Sequence, residues 1–271
     1  YPGTGCTSAT STTTAVTVNP VPTITSVSAS PTLLCVGSTI SLSATGVTGF
    51  SGSPTYAWTG PNSYSDAGTA PSFTASVTAA SGVYSLTVTY PGTGCTSAVS
   101  TTTAVTVNAV PTISSVSASP TLLCIGSTIS LSATGVTGGS GSPTYAWSGP
   151  NSYSSTAAAP SFTASVTAAS GVYSLTVTYP GTGCTSAVST TTAVTVNAVP
   201  TISSVSASPT LLCVGSTISL SATGVTGFSG SPTYAWTGPN SYSSAATAPS
   251  FTASVTAASG VYSLTVTYPG T

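Results

Sequence analysis

The sequence predicts an all-β chain of tandem β-sandwich modules set end to end as a linear rod. Three observations predict it. The first is a period of 89 residues: Tyr1, Tyr90, Tyr179 and Tyr268 each open Y-P-G-T, and Cys6, Cys95 and Cys184 keep the same step. Cys35, Cys124 and Cys213 keep it too, as do Trp58, Trp147 and Trp236. Self-similarity at one fixed period marks an array of like units. The second is alternation of Val, Ile, Leu, Tyr and Trp with Ser and Thr, the pattern of strands with one buried face. The third is punctuation by Gly, Pro and Asn at intervals of roughly 8–12 residues, the turn spacing of a sandwich.

The elements of the first complete module follow in order. Residues 23–29 read as a strand ended by Ser30 and Pro31. Residues 39–44 form the next, with Ile40, Leu42 and Ala44 on one face, and 55–59 the third, with Tyr56 and Trp58 together. Residues 60–71 hold turn chemistry and one short edge strand at 63–65. Residues 72–77 turn Phe73, Ala75 and Val77 inward, and 83–90 do the same with Tyr84, Leu86 and Val88. The last strand is 97–107, and the next module opens at Pro111. No stretch carries the 3.6-residue apolar stripe of a helix, so none is expected. The chain therefore divides into the end of a preceding module (1–19), complete modules at 22–108 and 111–197, and a module lacking its last strand (200–271). Because it opens within a module, it reads as a window on a longer array.

Composition excludes whole classes of function. There is no Lys, Arg, His or Glu, and Asp66 is the sole acidic side chain. General acid–base catalysis needs a group that titrates near working pH, and a Ser or Cys nucleophile needs a neighbouring base. No enzyme activity and no cofactor are expected. Nucleic-acid binding rests on Lys and Arg, which are absent, and calcium sites draw on carboxylates. Thiolate zinc sites take about four Cys at one point, whereas each module has two, 60 apart in sequence. No nucleic-acid partner and no metal are expected. No run approaches the ~20 apolar residues of a membrane span, so no membrane insertion is expected.

Ser and Thr supply 109 of 271 residues, and hydroxyls must carry the solubility that charge ordinarily supplies. Asn62, Asn151 and Asn240 read N-S-Y and Asn108 reads N-A-V, so N-linked sequons are lacking. Any glycan would be O-linked or follow another attachment rule. Candidate sites are Thr12, Thr13 and Thr14, Thr101, Thr102 and Thr103, and Thr190, Thr191 and Thr192, on the expected last strands. Solvated edge hydroxyls are the plainer reading of the same tracts. Disorder is disfavoured by a hydrophobic content of 40% in periodic placement.

The phrases G-S-T-I-S-L-S-A (37–44), Trp58 in its strand, and A-S-G-V-Y-S-L (80–86) together resemble the immunoglobulin-like fold. The resemblance makes the strands A, B, C, E, F and G in order, with Trp58, Trp147 and Trp236 as the buried strand C residue. It makes Tyr84, Tyr173 and Tyr262 tyrosine corners, and places Leu42, Leu131 and Leu220 in the core. Ala44 and Leu86 stand where antibody domains carry their core cysteines. The W-T-G-P-N-S-Y and G-C-T-S-A-V-S-T-T-T-A-V-T-V phrases further resemble Ig-like or PKD-like tandem repeats of secreted bacterial surface adhesins and fibres, of the Bacteroidota type. What this implies is surface display, adhesion or fibre building, with no catalytic site.

Regular cysteines imply oxidised pairs outside the cytoplasm. One pairing lies within modules, Cys35 with Cys95 and Cys124 with Cys184, leaving Cys6 and Cys213 to pair outside the window. In the topology that the resemblance implies, those partners stand at opposite poles, roughly 25 Å apart for strands of about eight residues, against the ~7 Å limit of a bridge. The favoured pairing is between modules, Cys35 with Cys184. The intramodule pairing stays open if 60–71 contributes no strand, as do free thiols.

The expected function is a structural extracellular fibre or adhesin stalk that partners itself, through adjacent modules or subunits, and carries covalent O-glycans. A carbohydrate-binding adhesin is the alternative. Tyr64, Tyr153 and Tyr242 would be its exposed contacts, and variation at 66–69 and at Phe50 against Gly139 its loops. Asp66, replaced by Ser155 and Ser244 in the sister repeats, has no expected role. A continuous polypeptide is preferred over subunits joined by donated strands.

Overall fold

The computed structural model describes residues 2–49, 52–227 and 231–268. Phe50 and Phe228, singled out for their variation against Gly139, lie outside the described residues, as do Tyr1 and 269–271 of the terminal Y-P-G-T strings. The chain forms two compact units, Tyr1–Val110 with Gly181–Cys184, and Pro111–Pro180 with Thr185–Thr271. Each period encloses its own apolar cluster: Leu42, Trp58 and Leu86 in the first, Leu131, Trp147 and Leu175 in the second, Leu220 and Trp236 in the third.

The fold is a tandem array of immunoglobulin-like β-sandwiches. In the first period, β1 (Ser26–Ser30), β2 (Leu33–Cys35), β3 (Thr39–Thr45), β4 (Thr55–Gly60) and β5 (Tyr64–Asp66) come first. They are followed by β6 (Ser72–Thr74), β7 (Ser85–Tyr90), β8 (Cys95–Thr96), β9 (Ser100–Thr101) and β10 (Thr106–Asn108). One sheet has the order β1-β3-β6, and the other β5-β4-β7-β8, with β9 also on β7. Strands β2 and β10 pair in parallel, Leu33 opposite Thr106 and Cys35 opposite Asn108. The second period repeats every one of these strands.

Alternation explains which residues fill the sandwich. Ile40 and Leu42 of β3 face Trp58 of β4 and Leu86 and Val88 of β7, all 0–1% exposed. Burial of each such side chain is worth about 1.5–3 kcal/mol. The outward positions are hydroxyls, and they pair across strands: Ser26 with Thr45 and Ser28 with Ser43, each at 2.7 Å. Cross-strand hydroxyl pairs stabilise a solvated face without charge.

Several elements differ from the sequence expectation, among them the strand read over 72–77, which ends at Thr74 and leaves Val77 42% exposed. The first strand starts at Ser26 and not at residue 23, because Thr23 makes only an isolated bridge to Thr48. Beyond the cis Ser30–Pro31 bond the chain adds β2, a three-residue strand too short to show alternation. A single 3-10 turn, Thr78–Ala80, enters where no helix was expected.

The last strand is also broken into β8, β9 and β10 where 97–107 read as continuous. Its own side chains cause the break. The Ser97 hydroxyl accepts from the Val88 N–H at 3.0 Å, and the Thr102 hydroxyl accepts from the Tyr84 N–H at 3.1 Å. Each hydroxyl then donates to the next carbonyl, of Ala98 and Thr103, both at 2.8 Å. A hydroxyl thus takes the place of a backbone carbonyl in the ladder, as Ser and Thr do where they compete with secondary structure.

Candidate functional site

Cys35 ends β2, the strand clamped by β10. The Val36 N–H donates to the Asn108 carbonyl at 2.8 Å, and the Ser38 N–H closes a turn on the Cys35 carbonyl at 3.0 Å. Gly37, at φ +94°, takes a left-handed conformation that lets the chain leave β2 directly for β3. Cys184 follows Gly183, at φ +70°, in the P-G-T-G-C turn, where its N–H donates to the Thr182 hydroxyl at 3.2 Å. Cys35 and Cys184 form a disulfide with Cα atoms 5.7 Å apart, within the usual range for a bridge. Cys184 is fully buried, whereas Cys95, one period earlier in the same turn, is half-buried.

Cys95, Cys124 and Cys213 carry free thiols, so the structure brings together neither Cys35 with Cys95 nor Cys124 with Cys184. Opposed ends of the first sandwich are the reason: Cys35 lies beside Asn108 at the close of β10, and Cys95 opposite Tyr90 at the far end of β7. Cys6 lies exposed in the segment before the first sandwich.

The aromatic residues are structural. Trp58, Trp147 and Trp236 are 1–2% exposed. Their indole N–H groups donate at 3.1 Å to the carbonyls of Gly68, Ala157 and Ala246. Tyr84, Tyr173 and Tyr262 donate from Oη to the carbonyl four residues earlier, Ala80, Ala169 and Ala258, at 2.6–2.7 Å. The rings of Tyr84, Tyr173 and Tyr262 lie over the backbones of Gly60, Gly149 and Gly238, where a Cβ would collide with them. Tyr64 stacks on Phe73 at 4.1 Å and meets Tyr84 edge-on at 5.5 Å, and Tyr153 repeats this with Phe162 and Tyr173. These rings pack on their own turns.

Asp66 has a local role that its isolation in the sequence concealed. Its carboxylate accepts from the Gly68 N–H at 2.6 Å, as Ser155 accepts from Ala157 at 3.2 Å. The substitution changes the neighbouring phenol. Tyr64 Oη is buried without a hydrogen-bond partner among the described residues. Burial first, then the Asp66 charge and Tyr84, push the Tyr64 phenol up to about 12. Burial also raises Tyr153, where the Ser155 hydroxyl pulls the other way.

The Ser/Thr tracts divide by accessibility. Thr102 and Thr191 are each 6% exposed. They therefore leave the set of candidate glycan sites, because their hydroxyls complete the ladder to Tyr84 and Tyr173. Thr101, Thr103, Thr190 and Thr192 face solvent, as do Thr12, Thr13 and Thr14.

The third sandwich holds a cleft of about 570 Å³, lined by Leu212, Cys213, Val214, Ile218, Ala253 and Tyr262 among others. In the first sandwich this place is filled by Val105 and Val107, 2% and 3% exposed. Around the cleft Leu211 is 92% and Val261 83% exposed, against 54% for Leu33 and 44% for Val83. Tyr262 is half-buried where Tyr84 is fully buried.

No protein-family model matches this chain, and no curated protein sequence does. Solved structures resemble it. The three N-terminal domains of the outer capsid protein Hoc of bacteriophage RB49 are 16% identical, over 84% of this chain and 80% of that one, with a TM-score of 0.36. A marsupial T cell receptor is 11% identical, over 79% and 84%, at 0.39. Murine CEACAM1b is 13% identical, over 64% and 99%, at 0.33. At such identities and scores the likeness says nothing of ligand or activity. The immunoglobulin-like assignment rests on the sheet order and the tyrosine corner.

Proposed function

We propose that this chain is a structural, non-enzymatic part of an extracellular fibre or adhesin stalk, built from repeated immunoglobulin-like modules and secured by disulfides. The observation that carries the reading is the Cys35–Cys184 bond, which joins residues 149 apart and so belongs to two different periods. A cross-link between periods serves an array under tension and has no use in a module acting alone. Near-identity supports the same reading, since residues 90–178 and 179–267 differ at only five positions. Disulfides persist in oxidising surroundings, which favours a place outside the cytoplasm. Absence of Lys and Arg removes every tryptic cleavage site, as suits an exposed part.

In this reading the exposed hydroxyls at Thr101, Thr103, Thr190 and Thr192 carry O-glycans or water. Immunogold labelling with an antibody to the module is expected to decorate filaments outside the cell, and labelling confined to the cytoplasm refutes the proposal. Intact mass before and after chemical deglycosylation decides the glycans, a loss in multiples of a sugar residue being the expected result.

A further inference from the structure

We infer that folding precedes oxidation in this chain: the sandwiches select the partner of Cys35, and a disulfide-bearing oxidant then closes the Cys35–Cys184 bond by exchange. Chain statistics alone favour other partners. Cys95 lies 60 residues from Cys35 and Cys124 lies 89, whereas Cys184 lies 149 away. The probability that a flexible chain closes a loop falls as about the three-halves power of loop length. An unfolded chain therefore joins Cys35 to Cys95 about four times as often as to Cys184, and to Cys124 about twice as often. Yet Cys184 is the partner that Cys35 holds.

The folded sheets supply the selection. Leu34 lies opposite Val107, whose N–H donates to the Ser81 hydroxyl at 2.9 Å, so Cys35 stands at the end of the sandwich where the chain enters β7. Cys95 lies opposite Tyr90, where β7 ends. The six residues of β7 set these two ends roughly 17 Å apart, and a bridge needs Cα atoms within about 7 Å. The Val36 N–H, tied to the Asn108 carbonyl at 2.8 Å, keeps Cys35 at its own end. Once the first sandwich has formed, the intramodule pair is out of reach. Cys184 in turn is presented by the fold of the second period. The Ser186 N–H donates to the Val177 carbonyl at 2.8 Å, and the Thr178 and Thr185 hydroxyls bond at 2.7 Å, which closes the turn that carries Cys184.

The chemistry follows from accessibility. Cys184 is fully buried and Cys35 half-buried, so Cys35 is the sulfur that an outside reagent meets. The Cys35 thiolate attacks the oxidant's disulfide, forming a mixed disulfide and releasing one of the oxidant's sulfurs as a thiolate. The Cys184 thiolate then attacks the Cys35 sulfur, and the bond closes as the oxidant's second sulfur leaves. Two electrons pass from the cysteines to the oxidant, whose two sulfurs take up the two protons.

The sequence around Cys95 repeats around Cys184 without change over 90–108 and 179–197, so the test uses a chain carrying Cys6→Ser, Cys124→Ser and Cys213→Ser. The reduced chain is oxidised with glutathione disulfide, at a concentration too low for bonds between chains, once in buffer and once in guanidinium chloride. Circular dichroism before the oxidant is added is expected to show the strands already formed in buffer. Cleavage after aromatic residues separates Cys35, Cys95 and Cys184, and fragment masses then name the pair. The folded chain is expected to give Cys35–Cys184 alone. The unfolded chain is expected to give Cys35–Cys95 about fourfold over Cys35–Cys184. As a second measurement, the wild-type chain oxidised in buffer and cleaved in the same way is expected to link the fragment that carries Cys35 to the fragment that carries Cys184. A Cys35–Cys95 link in the folded wild-type chain overturns the inference, as does Cys35–Cys184 as the main pair in guanidinium. Either result leaves untouched the cellular location on which the structural reading is judged.

Discussion

Reduction of the Cys35–Cys184 disulfide should lengthen the chain under tension by a defined amount. With the bond intact, force applied to the two ends passes from Cys35 directly to Cys184 and skips the residues between them. Those residues include β3–β10 of the first sandwich and most of the second, so only the third sandwich lies wholly in the path of force. A chain spans at most 3.3–3.6 Å per residue when extended. The 149-residue loop therefore withholds ~500 Å of contour length, from which the 5.7 Å span of the bridge is a negligible deduction. Single-molecule force spectroscopy on the end-tethered protein reads this directly. The oxidised chain should show one full-module unfolding event, and the reduced chain three events with about 500 Å of additional extension. Cys35→Ser should give the long trace without reductant. A gain below about 400 Å on reduction, or a short trace from Cys35→Ser, would refute the reasoning.

Three further outcomes are expected. Tyr84→Phe keeps the buried ring but leaves the Ala80 carbonyl without its 2.6 Å donor, which should cost about 1–3 kcal/mol. At the half-buried Tyr262 water can replace the lost donor, so Tyr262→Phe should cost at most about 1 kcal/mol; native-state hydrogen exchange, resolved by module, separates the two. Ser63, held at φ +57° in the P-N-S-Y turn, should stabilise its module by up to about 1 kcal/mol when changed to Gly, read as a shift in urea midpoint. Stability should be flat between about pH 5 and 7, where no side-chain type in this chain ordinarily titrates. The Tyr64 phenol is held neutral in the fold to about 12. Its contribution is therefore complete below about pH 10 and lost as pH rises from there through about 12, and urea midpoints followed with phenolate absorbance should fall across that window.

What the sequence determined by itself is the fold class and its repetition. Alternation over 39–44 and 83–90 put Ile40, Leu42, Leu86 and Val88 on inward faces, and a two-residue period admits one solution once a face must be buried. Turn chemistry was legible too, since G-P-N-S-Y carries the two positive-φ residues, Asn62 and Ser63, that a tight hairpin demands.

The rest belonged to the tertiary structure. Strand β2 is three residues long, and its parallel partner lies 73 positions away, Leu33 opposite Thr106, so no local pattern announces it. Thr102 reads like its neighbours Thr101 and Thr103, yet it is buried because the N–H of Tyr84, distant in sequence, needs an acceptor there. Two cysteine pairings stood open on spacing alone. Which thiols meet depends on which turns share a pole, and that is a property of the folded sheets and not of the order of residues.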